Sequence, residues 1–116
     1  MEQSKVLAAL SALAHETRLD IVRLLVARGP QGMCAGGIAQ RLGLSASALS
    51  FHLSALGGAG LLAATRQGRH VHYRVDLGQI GAVMGYMLND CCADHPEVRR
   101  SCLERCGQDQ SGRSNT

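Results

Sequence analysis

Apolar residues recur at helical spacing along most of this chain and predict an almost entirely helical fold. The spacing predicts one helix over Met1–Ala14 and a second that follows it and ends at the Gly29-Pro30 pair. A further helix is predicted from Leu77 to Asn89, with Asp76 as its cap. The first and last of these helices carry more apolar surface than one small domain buries. We therefore expect them to form a dimer interface.

The central stretch Ala35–Leu62 predicts two helices joined by a tight turn. Gly43 ends the first helix, Ser45 caps the second, and Gly57-Gly58 ends the second. The face of the second helix that lies opposite its leucines is small and polar, with one aromatic residue and no acid. It comprises Ser47, Ala48, Ser50, Phe51 and Ser54. Such a face suits the major groove of DNA, although an ordinary helical hairpin has the same pattern.

Two short runs of β-forming residues follow the hairpin of helices. Leu61–Thr65 and Val71–Val75 predict strands, and Gly68 supplies the turn between them. The tip is basic and has no acid before Asp76. It carries Arg66, Gln67, Arg69 and His70. A basic β-hairpin directly after a helix-turn-helix is a wing whose arginines contact phosphate or the minor groove. The predicted fold is therefore mostly α with a β-hairpin, a winged helix-turn-helix that forms a homodimer.

Composition narrows the functional class. The chain has 116 residues, a net charge of +3 and five cysteines. It contains no apolar run of membrane length and no signal peptide, so we expect a soluble cytoplasmic protein without a membrane partner. An odd number of cysteines in such a protein favours reduced thiols that bind metal or sense oxidants.

Four of the cysteines lie close together behind the last long predicted helix. They are Cys91, Cys92, Cys102 and Cys106. Pro96 begins a short helix over Glu97–Arg105 that Gly107 closes, and it places Cys102 and Cys106 on one face. Thiolates suit soft metals, and we expect nearby Arg99, Arg100 and Arg105 to lower the thiol pKa. Incidental cysteines in an unstructured tail are the alternative.

Three stretches together resemble the ArsR/SmtB family of metalloregulatory repressors: ALAHETRLDIVRLL, IAQRLGLSASALSFHLSALGGAGLL and RQGRHVHYRV. The resemblance covers Leu7 to about Leu88. It implies a cytoplasmic homodimer that binds double-stranded, palindromic operator DNA and leaves it when an inducer binds. The implied recognition helix is Ser45–Leu56. Its residues nearest the DNA are Ser47, Ala48, Ser50, Phe51 and His52, and His52 either contacts DNA or only braces the helix.

The family uses several kinds of inducer site, and this chain has the residues for some of them but not for others. Arsenic sensors that resemble it often carry a Cys-X-Cys pair, of which only Cys34 remains because the partner position is Gly36. Cys34 is therefore interpreted as a small core residue. Zinc sensors use carboxylate and His pairs along the last long helix, and Gly78 stands where the first His would be. The cysteine tail instead resembles that of some arsenic-responsive members.

The resemblance thus implies As(III) or Sb(III) as inducer, held by three thiolates, with no catalytic cofactor. Which three of the four tail cysteines bind, and whether a site spans two chains, stays open. Thiol oxidation, Cd, Pb or Zn, and a methylated arsenical held by two thiolates are alternative signals. Since no catalytic motif is present, we do not expect an enzyme, and a protein-interaction module without DNA binding is a distant alternative.

These interpretations divide the chain into three parts. Residues 1–90 form the DNA-binding and dimerisation domain, residues 91–107 form the inducer-binding tail, and residues 108–116 are predicted to be disordered.

Overall fold

The computed structural model describes the backbone of residues 1–112 and the side chains of residues 1–105. Its helices are α1 Gln3–Leu13, α2 Glu16–Arg28, α3 Ala35–Leu42, α4 Ala46–Gly58, α5 Leu77–Gly85 and α6 Pro96–Gly112. Its strands are β1 Met33–Cys34, β2 Leu62–Gln67 and β3 His70–Val75. The predicted fold class is confirmed, as the chain is mostly helical with a winged helix-turn-helix. The chain forms two compact units, residues 1–81 and the part from Ala82 onward.

The core of the first unit lies where the helices converge beneath the sheet. Its fully buried side chains come from every helix before the wing and from the residue preceding β2. The largest are Val6, Ile21, Leu25, Ile38, Leu49, Leu56 and Leu61. At one edge of this core, His15 caps α2, because its Nδ1 accepts a hydrogen bond from the backbone N–H of Thr17 at 3.1 Å.

The wing is longer than the sequence predicts. Gln67 pairs with His70, so Gly68 and Arg69 alone form the turn, and Gly68 has a φ of 64°. A two-residue turn keeps the strands paired to their ends, whereas the sequence predicted that the first strand stops at Thr65.

A third strand, which the sequence pattern did not predict, immediately precedes α3. Met33 pairs with Tyr73 and Cys34 with His72, so β1 lies antiparallel to β3 in a sheet ordered β1-β3-β2. The approach depends on Gly32, which has a φ of 66°. A Cβ at this position would collide with the carbonyl oxygen of Tyr73.

The last predicted long helix changes its winding. Asp76 caps α5 as expected, because its Oδ1 accepts from the backbone N–H of Gln79 at 3.0 Å. The helix keeps α geometry only to Gly85 and continues as a π-helical turn over Tyr86–Cys91, where a single α-helix to Asn89 was predicted. Wider i→i+5 winding lets the Cys92 N–H reach the carbonyl oxygen of Met87 at 3.1 Å.

A sharp reversal separates the π-helical turn from α6. Ala93 and Asp94 have φ values of 53° and 51°, and the Asp94 N–H donates to the carbonyl oxygen of Leu88 at 2.7 Å. His95 then caps α6 by accepting from the Glu97 N–H at 3.1 Å. The helix extends to Gly112, past its predicted end at Gly107 and into the segment predicted to be disordered, residues 108–116. Residues 113–116 of that prediction lie outside the described residues.

None of the described helices is long and apolar enough to cross a membrane.

Gly32→Ala should destabilise the protein by at least about 2 kcal/mol, since the new Cβ meets backbone in a left-handed conformation. Gly36→Ala in α3 is the matched control, because a Cβ there meets nothing within 4 Å. It should be neutral or stabilising by up to about 1 kcal/mol. Urea unfolding measures both, and equal stabilities would contradict the account of β1.

Candidate nucleic-acid interface and thiol-bearing tail

Two local signals fix the orientation of α4. Gly43 adopts a left-handed conformation with a φ of 67°, which ends α3 and turns the chain. The Ser45 Oγ accepts a hydrogen bond from the Ala48 N–H at 3.1 Å, so the predicted cap is present. Leu49, Leu53 and Leu56 are buried on one side of the helix.

The opposite side of α4 is an open, uncharged face. Exposed Ser47, Ser50, Phe51 and Ser54 form it, with half-buried Ala48 between them. We name these five residues the recognition face. The first turn of the helix contains no acid, so the positive end of the helix dipole is unopposed there. Hydroxyls, a methyl and an aromatic ring are groups that contact base edges in a major groove.

His52 lies on the inner side of α4 and not on the recognition face. It is 9% exposed, and its Nδ1 accepts a hydrogen bond from the Nε of Arg18 at 3.2 Å. The His15 ring lies 4.6 Å from it between centroids. Burial, and then the charges of His15 and Arg18, lower the pKa of His52 below its ordinary value. This placement favours the bracing alternative over contact with DNA.

Arg18 connects α2 to both sides of α4, which sequence reasoning missed. Its guanidinium carbon lies 5.5 Å from the centroid of the Phe51 ring, and Phe51 is 65% exposed. The residue belongs to the ALAHETRL stretch that carried the family resemblance. That stretch was the signal that could have singled it out.

The tip of the wing carries cations without acids. All four predicted residues, Arg66, Gln67, Arg69 and His70, are exposed. Behind them, the Nη1 of Arg74 donates to the Thr65 Oγ1 at 2.5 Å and joins the two strands. Among the described residues the single ion pair joins Arg99 to Asp94, so the wing arginines have no carboxylate partner there.

Two of the predicted tail thiols are neighbours in the chain at the end of the π-helical turn. Cys91 is exposed and Cys92 is half-buried. Cys102 is exposed on α6, and the side chain of Cys106 lies outside the described residues. Within the described part of the chain, no three His, Cys, Asp or Glu side chains are grouped to hold a metal ion.

The expectation that arginines lower the pKa of the tail thiols is wrong for Cys92. Burial raises the pKa of Cys92, and the neighbouring Cys91 raises it further. Arg99 is engaged elsewhere, because its Nε and Nη2 lie 2.7 Å and 2.5 Å from one oxygen of Asp94.

Cys34 lies apart in sequence and is half-buried in β1, where it pairs with His72 and precedes α3. Cys34 was interpreted as a small core residue, whereas the structure places it in an edge strand at the margin of the core.

Comparison with known proteins identifies relatives of both sequence and fold. A family model described as a helix-turn-helix domain matches residues 13–64. Over 78 residues the chain is 38% identical to the HTH-type transcriptional regulator CmtR of Mycobacterium tuberculosis. That match covers 66% of this chain and 63% of CmtR, so the chain spans less than two thirds of that relative's length.

Two solved structures share the fold. One is the solution structure of a homodimeric winged helix-turn-helix DNA-binding domain from Mycobacterium bovis, described as a possible ArsR-family transcriptional regulator. It has a TM-score of 0.62 and 28% identity, and covers 79% of this chain and 82% of its own. The other is a possible transcriptional regulator for arsenical resistance, with a TM-score of 0.58, 30% identity and coverage of 75% and 95% respectively.

The lowered pKa of His52 predicts acid sensitivity. An unfolded histidine binds a proton near pH 6.5, whereas folded His52 resists protonation, so folding stability is lost as pH falls below 6.5. Urea unfolding from about pH 7.5 to about pH 5.5 should show a larger loss in the wild type than in His52→Gln. Equal losses of folding stability in the wild type and His52→Gln would contradict the buried environment assigned to His52.

Proposed function

Because this chain belongs to the ArsR-like family of helix-turn-helix transcriptional regulators, we propose that it is an arsenite- or antimonite-responsive repressor. In this proposal a homodimer binds double-stranded operator DNA and leaves it when tail thiolates capture the metalloid. The observation that carries the proposal is the pair of adjacent thiols, Cys91 and Cys92, at the end of the π-helical turn in a chain with an open recognition face. The protein is a regulator and not an enzyme, as the sequence predicted.

The recognition face and the wing supply two kinds of DNA contact. The small hydroxyl-rich face of α4 reads base edges, and exposed Arg66 and Arg69 hold phosphates beside it. Two such helices in a dimer are placed one helical turn apart on a palindromic operator. The homodimeric state of the Mycobacterium bovis domain supports a dimer here.

The chemistry of the tail favours a soft, thiophilic inducer. ArsR-type regulators respond to metal ions, and thiolates prefer soft ones. Trivalent arsenic and antimony take three thiolates, and the adjacent residues Cys91 and Cys92 supply two of them. The third comes from α6, from Cys102 or Cys106. The neighbouring fold described as a possible regulator for arsenical resistance supports this choice over Cd, Pb or Zn.

Because no three described thiols are grouped, a site completed by Cys102 requires α6 to move toward Cys91 and Cys92. The reversal at Ala93–Asp94 is the point about which this movement occurs. By linkage, the metalloid binds the DNA-free dimer more tightly than the DNA-bound dimer, and the difference drives release.

Thiol oxidation is the second candidate, and the grouping of Cys91, Cys92 and Cys102 in one short stretch of free cysteines supports it. However, adjacent residues bring their Cα atoms to about 3.8 Å, closer than the usual range for a disulfide. An oxidative switch would therefore pair one of them with a cysteine of α6. Release by arsenite from a fully reduced complex, without oxidant, separates the two candidates.

Replacement of the tail cysteines tests the proposal directly. Cys91→Ser, Cys92→Ser and Cys102→Ser should bind DNA normally but remain bound in arsenite, because an alcohol is neither soft nor readily ionised. Fluorescence anisotropy of a labelled operator duplex, selected from a random-sequence pool, measures release.

Cys34→Ser is the matched control and should respond normally, while Cys106→Ser should lose little. If Cys34→Ser abolishes the response and the tail variants retain it, the inducer site lies at the helix-turn-helix instead.

Arg69→Ala should weaken DNA binding, because the wing then binds fewer phosphates. The slope of log affinity against log salt should fall by about one for each phosphate that is no longer neutralised. Arg28→Ala, an exposed arginine at the end of α2, should leave the slope unchanged. Wild-type affinity of Arg69→Ala at every salt concentration would exclude the wing from the interface. If the wild type shows no salt-dependent binding to DNA, the alternative of a protein-interaction module is favoured instead.

Charges on the exposed apolar residues of α1 and α5 should weaken the dimer. On α1, Val6 and Ala9 are buried and Leu10 is half-buried, while Leu7 is 56% exposed; on α5, Met84 is 45% exposed. Leu7→Glu and Met84→Glu should each shift the protein to monomer in sedimentation at micromolar concentration, because a charge is poorly tolerated in an apolar interface. Ala27→Glu, on the exposed side of α2, is the control and should remain dimeric. If Leu7→Glu and Met84→Glu also remain dimeric, the interface lies elsewhere.

A further inference from the structure

We propose that Arg18 of α2, which precedes the helix-turn-helix, is a phosphate-binding residue of the DNA interface and that His52 is its positioning residue. This inference rests on the proposed DNA binding and adds to it a contact outside the recognition helix and the wing. It assigns His52 an indirect function in binding, through Arg18.

The contacts of Arg18 leave the outer part of its guanidinium free to bind. The Nε donates to the Nδ1 of His52 at 3.2 Å, and the guanidinium carbon lies 5.5 Å from the centroid of the Phe51 ring. Within the described residues Arg18 has no ion pair, so its two terminal nitrogens have no carboxylate to bind. Phe51 belongs to the recognition face, and it therefore brings the guanidinium to the edge of that face.

His52 can hold Arg18 only in its neutral form. An Nδ1 that accepts from Arg18 cannot carry a proton, so the ring proton must be on Nε2. The buried position of His52, with its ring against His15, favours this neutral form. Arg18 is therefore bound to an uncharged acceptor, and its full positive charge remains available to an anion.

An oxyanion is the ligand that this arrangement fits. The terminal nitrogens of a guanidinium bind phosphate oxygens in a fork, and Phe51 and His52 hold the fork in place before DNA arrives. Less side-chain freedom is then lost on binding.

The alternative is that Arg18 only holds α2 against α4 and does not contact DNA. The two roles predict different salt dependence of DNA affinity, because a residue that only stabilises the fold displaces no counterions from DNA on binding. Arg18→Gln is the primary variant. Arg23→Gln is its control, since Arg23 is an exposed arginine of the same helix. Affinity for the selected operator duplex is measured over a series of salt concentrations, together with urea unfolding.

Arg18→Gln should lower the magnitude of the salt slope by about one per protomer and weaken binding about tenfold near physiological salt. Arg23→Gln should have the wild-type slope. If Arg18→Gln loses folding stability but keeps the wild-type salt slope and affinity, the proposal is overturned and Arg18 only holds α2 against α4.

Variants of His52 test the positioning role. His52→Asn retains a side-chain acceptor and should keep most of the affinity, whereas His52→Leu fills the space without an acceptor and should reproduce Arg18→Gln. The double variant Arg18→Gln/His52→Leu should bind no more weakly than either single variant. Additive losses, or equal affinities of His52→Asn and His52→Leu, would overturn the coupling.

The wing variant separates this inference from the proposed function. If Arg69→Ala lowers the salt slope and Arg18→Gln does not, DNA binding stands and the assignment of Arg18 fails. If the wild type binds the duplex without salt dependence, both fail together.

Discussion

Burial of one side of α4 is the constraint on which the rest of this structure depends. Leu49, Leu53 and Leu56 enter the core, and the helix must then present Ser47, Ser50 and Phe51 outward. Because the same packing fixes where β2 begins, it also determines where the wing stands relative to the helix. The proposed DNA-binding surface thus follows from apolar burial: its polar residues face outward because the leucines opposite them fill the core.

Signals local in sequence predicted the fold well. The cap at Ser45, the left-handed Gly43 and the turn at Gly68 each act within a few residues, and all three are present. Contacts between distant residues were missed. No local pattern indicates that Met33 and Cys34 pair with Tyr73 and His72, and only Gly32, which a close backbone approach requires, could have indicated it. The bond between Arg18 and His52 spans 34 positions and was missed for the same reason.

In the cysteine tail, composition predicted which residues are present but not their pKa or the path of the backbone. Counting cysteines indicated a thiol site, and Cys91 affects the pKa of Cys92 because the two residues are adjacent. The arginines nearby were expected to lower the thiol pKa, yet a charge acts only where it is free and close. Arg99 is paired with Asp94, and burial raises the pKa of Cys92. The π-helical turn and the reversal at Ala93–Asp94 depend on backbone hydrogen bonds that side-chain spacing does not encode.

The central claim is that a thiophilic metalloid releases DNA by binding reduced protein. The most direct measurement titrates arsenite into the operator complex under strict anaerobic reduction, following DNA release by anisotropy and bound arsenic by mass spectrometry of the intact protein. The account predicts release that rises in proportion to arsenic bound and is reversed by a competing dithiol. Arsenic bound to the protein without release, or release that requires an oxidant, would contradict it.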